Sequence, residues 1–545
     1  MTKKQNLLEK ICSYFVTILS FVIFGYIGIE SIFHTSVIDE NDFVGEKILF
    51  NDDDLVINFF LIAAFFVVIF ALRRFADVFK RVDERILMAA LAVYTLTLGF
   101  IWIYTAQSIP AADSGTVYDA AVRFLKDDWT PMVTSNNDFY NNYSYFEIYP
   151  FQLGFVFISE IVYGIFGGEN AMAMQVFNVI ALALLYVGLL AISKRIFHSK
   201  AVTFILTFLL AGCLQAIFFT SFTYGNIIGF SASVWACYFV ICFMQYNGKE
   251  LQKYLLLIPA ALLMALGLLA KYNSLIWLAA ICIGIAVYVL KTKRWVELLS
   301  IVFIAGISIG AFNLVIKSYE SRSGVELGGG VGQWLYLDAG IQESSMAPGW
   351  YNDISKSTYV NNNCDSELAN KTAKESISKR IDYFNENTDY AIDFFNKKIL
   401  SQWNEPSYES IWVSQVKAHY NGEVEPDTFL NSVYNENWGN FFEDYFDFFQ
   451  MIAFILCAAG MLGLIINKCS AEAMIPIATL LGGFFYHLLF EAKSQYIMTY
   501  FILVLLFSAY GLYFIIKKRN FVSKTADGKI SIGERIIAAA QKLDN

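Results

Sequence analysis

The residues best placed to do chemistry lie in one stretch, Ile109-Pro-Ala-Ala-Asp-Ser-Gly-Thr-Val-Tyr-Asp-Ala-Ala-Val-Arg-Phe-Leu125. It follows directly on a long apolar run, so Asp113 stands just beyond the end of a membrane helix. Pro110 lacks the N–H that a continuing helix needs and is expected to stop that run. Past Asp113, the residues Val117, Ala120, Ala121, Phe124 and Leu125 recur at helical spacing. They predict a short one-faced helix suited to the membrane surface, with Asp113 as its N-cap. A carboxylate at that point can accept backbone N–H bonds as a cap. It can equally take a proton from a substrate held at the water–lipid boundary. Two isolated lysines, Lys271 and Lys493, stand at the ends of other apolar runs. They supply cations for a developing negative charge or snorkel toward headgroups.

The elements that must position these groups are membrane helices. The 545 residues are 57% hydrophobic and only 16% charged, where soluble domains carry roughly a quarter charged residues. Apolar runs of spanning length fall near 11–31, 55–72, 86–106, 171–192, 201–221, 227–244, 254–270, 273–290, 296–316, 448–467, 473–490 and 495–515. A further run, Pro150 to Phe166, carries Gln152, Ser159 and Glu160, which are costly on a helix facing lipid. If it does not cross, Arg73-Arg74, Lys80-Arg81, Lys194-Arg195, Lys249, Lys253, Lys291-Thr-Lys-Arg294, Lys468 and Lys517-Lys-Arg519 all fall on the cytoplasmic side. If it crosses, every basic loop after it moves outside. The first arrangement obeys the positive-inside rule, so Pro150–Phe166 reads as a re-entrant or interfacial helix.

The expected organisation follows. Residues 1–85 hold an extra pair of transmembrane helices and a cytoplasmic loop. Residues 86–316 form a transmembrane core with an outer loop at 107–170. Residues 317–447 make a small extracytoplasmic domain, 448–516 the last transmembrane helices, and 517–545 a cytoplasmic tail with an amphipathic stretch at 530–543. No nucleotide-binding glycine pattern occurs, the inner loops are too short for a catalytic domain, and no basic patch supports nucleic-acid binding. His34, His198, His419 and His487 have no metal-ligand spacing. His487 and Glu491, four apart, read as a local pair on one helix face.

Several short motifs share an order and a sidedness. They are Ala112-Asp-Ser-Gly-Thr-Val-Tyr-Asp-Ala-Ala121, Tyr149-Pro-Phe-Gln-Leu-Gly154 with Ile165-Phe-Gly-Gly168, Gly349-Trp-Tyr-Asn352, Lys398 through Gln402-Trp403, and Glu491-Ala-Lys-Ser-Gln-Tyr496. From about residue 86 onward the chain resembles the GT-C membrane glycosyltransferases, in particular the protein O-mannosyltransferase and lipid A aminoarabinose transferase branch. Two departures stand out: two spans precede the acidic loop, and Gln495 occupies a place where an arginine is expected.

The resemblance implies an all-α polytopic membrane protein of GT-C type, with about twelve transmembrane helices, re-entrant or interfacial outer helices and a small external domain. It implies an inverting transferase at the extracytoplasmic face of the plasma membrane. The sugar would come from a polyprenyl-phosphate donor, and the acceptor would be a cell-envelope glycan or lipid-linked molecule. Asp113 would be the base. Lys271, Lys493, Glu147, Tyr149, Gln495 and Tyr496 would bind substrate. No metal ligand and no cofactor are assigned, with a divalent metal left open; membrane lipids are partners and nucleic acid is not. The alternative is a transporter or flippase of a lipid-linked saccharide, which would line a central cavity with mid-span charges. Trp334, Trp350 and Trp403 read as core or interface aromatics ahead of sugar platforms.

Overall fold

The structure is a computed structural model, and it describes residues 7–39, 45–72, 82–133, 143–421 and 424–517. The basic residues at 73–74, 80–81 and 518–519 and the tail stretch 530–543 lie outside the described residues. Among the described residues eleven helices are long and apolar enough to span, and Lys200–Gly212 with Leu214–Ser221 makes a twelfth if that pair, bent by 55°, is one span. The protein is a helical, multi-pass membrane protein, as its hydropathy demands.

Contacts between helix ends sort them into two sets. Tyr224 joins Asp113 to Lys271 in one. The pairs Lys194–Glu84 and Lys253–Glu297, with Gln245 Nε2 on Arg195 O, join the short basic connections in the other. The run Pro150–Phe166 is too short for the spanning set. A direct contact fixes its effect on topology: Lys194 Nζ lies 2.6 Å from Glu84 Oε2. Glu84 opens one span and Lys194 closes the next, so the chain between them leaves and returns to the same end. Within that excursion, Glu160 is 8% exposed and accepts both arms of the Arg322 guanidinium at 2.8 and 3.1 Å, together with the Tyr319 hydroxyl. The polar residue that would be costly against lipid is fully matched by protein.

At the centre is Ser494–Ile516, buried on nearly every side, as expected of a helix that is apolar all round. It lies against Asn437–Asn467 at a distance only small residues allow: a Cβ on Gly511 would collide with the Leu456 carbonyl. The N-terminal pair is divided in its role. The first helix enters the core through Phe24 and Ile27, both fully buried, whereas Leu55–Leu72 is only 6% buried and presents its surface to lipid. Between them lies a two-stranded antiparallel hairpin, His34–Ile38 with Ile48–Asp52, His34 opposite Asp52. The all-α expectation did not include it. Ser36 N donates to Asn404 O at 3.1 Å and Ile48 N to Met346 O at 2.9 Å, so the hairpin is fastened to the 324–436 segment. Trp350 and Trp403 are core residues, 0% and 1% exposed; Trp334, at 43%, is on the surface.

Candidate functional site

The preceding span ends at Ala106, earlier than Pro110, where Gln107 turns left-handed at φ 42°. The next helix is Ala112–Phe124, and its cap is Ala111 rather than Asp113. Ser114 replaces the missing side-chain cap by exchanging hydrogen bonds with the Ala111 backbone, accepting at 3.3 Å and donating at 2.8 Å. Asp113 is therefore relieved of the capping role the sequence suggested. It sits in the first turn, exposed, directly after Ala112, whose φ of 50° is a strained value for a residue with a Cβ. Val117, Ala120, Ala121 and Phe124 are buried, while Leu125 is 42% exposed. The buried face packs on Leu153–Phe166.

What Asp113 touches is Tyr224. The Tyr224 hydroxyl donates to Asp113 Oδ2 at 3.1 Å, and Gln152 Nε2 donates to that same hydroxyl. Tyr224 belongs to the tight connection before Asn226–Gln245, made by Gly225 at φ 77°. A Cβ there would run into the Ala270 carbonyl, so the glycine lets the turn sit against the residue before Lys271. Lys271 Nζ consequently lies 3.8 Å from the Tyr224 ring centroid and 5.6 Å from that of Tyr496, a cation–π position on both. Burial pulls the Lys271 ammonium down to about 7, with the negative charge of Asp113 opposing. One phenol thus joins the acid to the cation.

Three further phenols lie within electrostatic reach of Asp113. Tyr149, Tyr336 and Tyr351 are held well above the ordinary tyrosine range, first by burial and then by the charges of neighbours that include Asp113 and Glu491. All three keep their protons at physiological pH; that of Tyr351 is given to Asp353 Oδ1 at 2.7 Å. Tyr336 and Tyr351 come from the 324–436 segment, which is docked on the last turn: Glu491 N donates to Tyr336 O at 3.0 Å, and Ala492 N to Gly349 O at 3.2 Å. Lys398 clamps the joint. Its ammonium, 0% exposed, donates to Gly340 O and, at 3.0 Å, to Phe490 O. Burial draws that lysine down to about 7 and pushes the Glu491 carboxyl up to about 7.

The predicted site residues divide into three groups. Asp113, Tyr149, Lys271 and Tyr496 share this chamber. Lys493 and Gln495 belong to an adjoining ionic network. Lys493 pairs with Glu46 of the hairpin loop, the side chains being 13% and 7% exposed. Burial opposes the Lys493 charge, but Glu46, Glu409 and Glu491 together hold it above its ordinary range. Glu409 Oε1 accepts from Ser494 Oγ at 2.9 Å and from Gln495 N at 3.3 Å. Glu147 stands apart: its Oε2 accepts from Gly328 N at 3.4 Å, steadying the glycine run. His487 and Glu491 do not share a helix face, because the helix ends at Leu489; His487 Nδ1 instead lies 2.7 Å from Gly483 O. Sequence reasoning missed Tyr224, Tyr336 and Tyr351 as members of the site. The available signal was their position, each a tyrosine outside the spans.

Among the described residues no three His, Cys, Asp or Glu side chains are arranged to hold a metal ion, and Asp113 has a phenol, not a second carboxylate, as its hydrogen-bond partner. No family model matches the chain, and no curated protein does. Solved structures similar to it include the archaeal oligosaccharyltransferase AglB from Archaeoglobus fulgidus in complex with an inhibitory peptide and a dolichol-phosphate, at 13% identity and a TM-score of 0.41, over 85% of this chain and 54% of that one. The Archaeoglobus fulgidus oligosaccharyltransferase in its apo form gives 14%, 0.42, 85% and 55%. Its complex with Zn and sulfate gives 12%, 0.40, 78% and 48%. The chain spans about half the length of these structures.

Proposed function

We propose that this protein is an inverting glycosyltransferase of GT-C type that moves a sugar from a polyprenyl-phosphate donor to a cell-envelope glycan or lipid-linked acceptor. The observation that carries the reading is the Asp113–Tyr224–Lys271 arrangement at the ends of the spans. Asp113 accepts the proton of the acceptor hydroxyl as that oxygen forms its bond to the anomeric carbon. The bond from that carbon to the phosphate oxygen breaks, and its electron pair leaves on the phosphate. Lys271 and the surrounding phenols face the charge that develops there. A single displacement inverts the anomeric centre. The lipid tail stays in the bilayer beside the spans, so only its head has to enter the chamber.

Lys493 leaves the donor-binding set in this reading, because Glu46 already matches its charge. Residues 324–436 act as the roof that keeps water from the activated sugar, delivering Tyr336 and Tyr351. A flippase would be favoured by charges along a mid-span passage; here acid and cation meet at the span ends.

The test is to supply purified protein with a short-chain polyprenyl-phosphate sugar and measure released polyprenyl phosphate. Time-dependent release above a donor-only control is expected, and its absence across a panel of sugars and envelope acceptors would remove the proposal. The chamber is assigned to the extracytoplasmic side of the plasma membrane, since the opposite end carries Lys194, Arg195, Lys253 and Arg294. With Cys364 replaced by serine, a cysteine at Asn361 should label from outside intact cells and one at Ser199 should not. The reverse pattern would invert the assignment.

A further inference from the structure

Below Lys271 is a niche of about 30 Å³, lined among others by Asn226, Ser274, Trp277, Tyr496 and Thr499. Its volume admits one oxygen-sized group, since a single water needs roughly 10–15 Å³ on the same measure. Trp277 is 1% exposed and its ring is fixed edge-on against Phe230 at 5.3 Å. Its indole N–H finds no acceptor among the described residues, although indoles are donors only and a buried donor left unmade is costly. Asn226, 7% exposed, uses its amide nitrogen on Gln495 O at 3.5 Å, while its Oδ1 has no partner among the described residues. The turn Tyr272–Ser274 leads into Leu275–Thr292, so the positive end of an 18-residue helix also points here.

We propose that the niche seats an oxygen of the phosphate group of a lipid phosphate, with Lys271 and the Trp277 N–H as donors. The leaving group departs as the phosphate monoester dianion; once that product has taken one proton from water, Asn226 Oδ1 accepts from its P–OH. This rests on the polyprenyl-phosphate reading and deepens it. An ammonium, a desolvated N–H and a helix N-terminus converge on one small volume; a sugar hydroxyl requires no such concentration of positive potential. The tail of the ligand lies outside the niche, so recognition belongs to the phosphate and not to the chain length.

The experiment is equilibrium binding of a radiolabelled short-chain polyprenyl phosphate to the full-length protein, read by scintillation proximity. Trp277→Phe keeps an aromatic ring against Phe230 and removes the N–H with the pyrrole half of the indole. It should weaken binding by a factor of about 10 to 100, as expected for one hydrogen bond to a charged group. The smaller ring also lowers the ligand-free thermal midpoint, so binding is measured on folded protein well below that midpoint. Asn226→Asp, which adds a negative charge at constant size, should weaken binding at least as much and decides the matter if the tryptophan variant does not fold. Inorganic phosphate should compete in the wild type and far less well in Trp277→Phe. Unchanged affinity in both variants would mean that the niche holds only water, and would overturn the proposal while leaving the donor reading standing. Equal binding of the polyprenyl alcohol to the wild type would overturn the donor reading itself.

Discussion

Of two cavities formed by described residues at the site end of the bundle, the larger carries no cation beside its acids. The cleft between the hairpin and the first turns of Asn437–Asn467 encloses about 990 Å³ and is lined by Asp52, Asp53, Asp54, Glu443, Asp444 and Asp447 among others. Its described lining includes no lysine, arginine or histidine. The space beneath Lys271 is about 30 Å³, yet it adjoins an acid, a cation and several phenols. A large concave pocket is the usual first guess for a binding site, and here that pocket lacks the acid–cation pair that the proposed transfer needs. Displacing a phosphate from a sugar requires a base and a positive field within one molecule's reach. The charged side chains described in the cleft's lining are all carboxylates, which would repel a phosphate. The chamber keeps Asp113 and Lys271 close without letting them cancel, because Tyr224 lies between them.

The sharpest way to break this contrast is Asp113→Asn. The Ala111 and Ser114 exchange supplies the cap, and an asparagine oxygen can still accept from Tyr224, so stability should stay within about 0.5 kcal/mol. Turnover of a polyprenyl-phosphate sugar should fall by a factor of about 100 to 10,000, the range for losing a general base. Asp119→Asn, which only loosens the surface pair with Arg123 at 2.7 Å, serves as the control and should remain active. A fully active Asp113→Asn protein would deprive the chamber of its distinction from the cleft.

The spans, and the place of Asp113 just past a span end, were legible because each is written locally. A run of apolar residues of bilayer length has one use, and an acid directly after it is conspicuous. The cap assignment failed on a local detail, since Ser114 performs that task one residue further on. What could not be read was convergence. Glu46 and Lys493 are 447 residues apart, and nothing in either neighbourhood signals the other. Tyr224 becomes part of the site only through Gly225 and its close approach to Ala270. Tyr336 and Tyr351 arrive through the docking of a segment whose sequence shows composition but no period. Pro150–Phe166 was readable as non-spanning from the charges of later loops, and Glu160 was readable as needing a partner. That the partner would be Arg322 was not.

A second comparison separates the two lysines. Lys271→Ala should lower donor use by a factor of about 10 to 1,000 without destabilising the protein, since burial already works against its charge. Lys493→Ala should do the reverse. It leaves Glu46, 7% exposed, without its counter-charge, and breaking a buried pair costs about 3–5 kcal/mol. Thermal denaturation in detergent and donor KM, measured on the same preparations, distinguish the two. Adding Glu46→Gln to Lys493→Ala should restore much of the stability. If Lys493→Ala is stable but fails to use donor, the phosphate site extends across the ionic network and the division drawn here is wrong.

The smallest expected effect lies in the acidic cleft. Thr35 Oγ1 is 2.9 Å from Asp53 Oδ1 and 2.9 Å from Asp447 Oδ1. A hydroxyl has one proton to give, so both contacts are hydrogen bonds only when one of the carboxyls is itself protonated. Burial raises the Asp53 carboxyl above its ordinary range. The sign follows: a carboxyl that binds its proton more tightly folded than unfolded favours the fold most below its unfolded value, and that benefit is lost as the pH rises through the folded one. At pH 8 the cluster therefore bears its full cost. Asp447→Asn removes one charge and supplies N–H donors for the Thr35 oxygen, and should stabilise by about 1 kcal/mol at pH 8, a gain that shrinks as the pH is lowered toward 4.5. Donor turnover should not change, because the proposed transfer runs at Asp113 and Lys271 and uses no residue of the cleft. A loss of turnover in this variant, at unchanged or improved stability, would tie the cleft to the chemistry and make it the place where an acceptor waits.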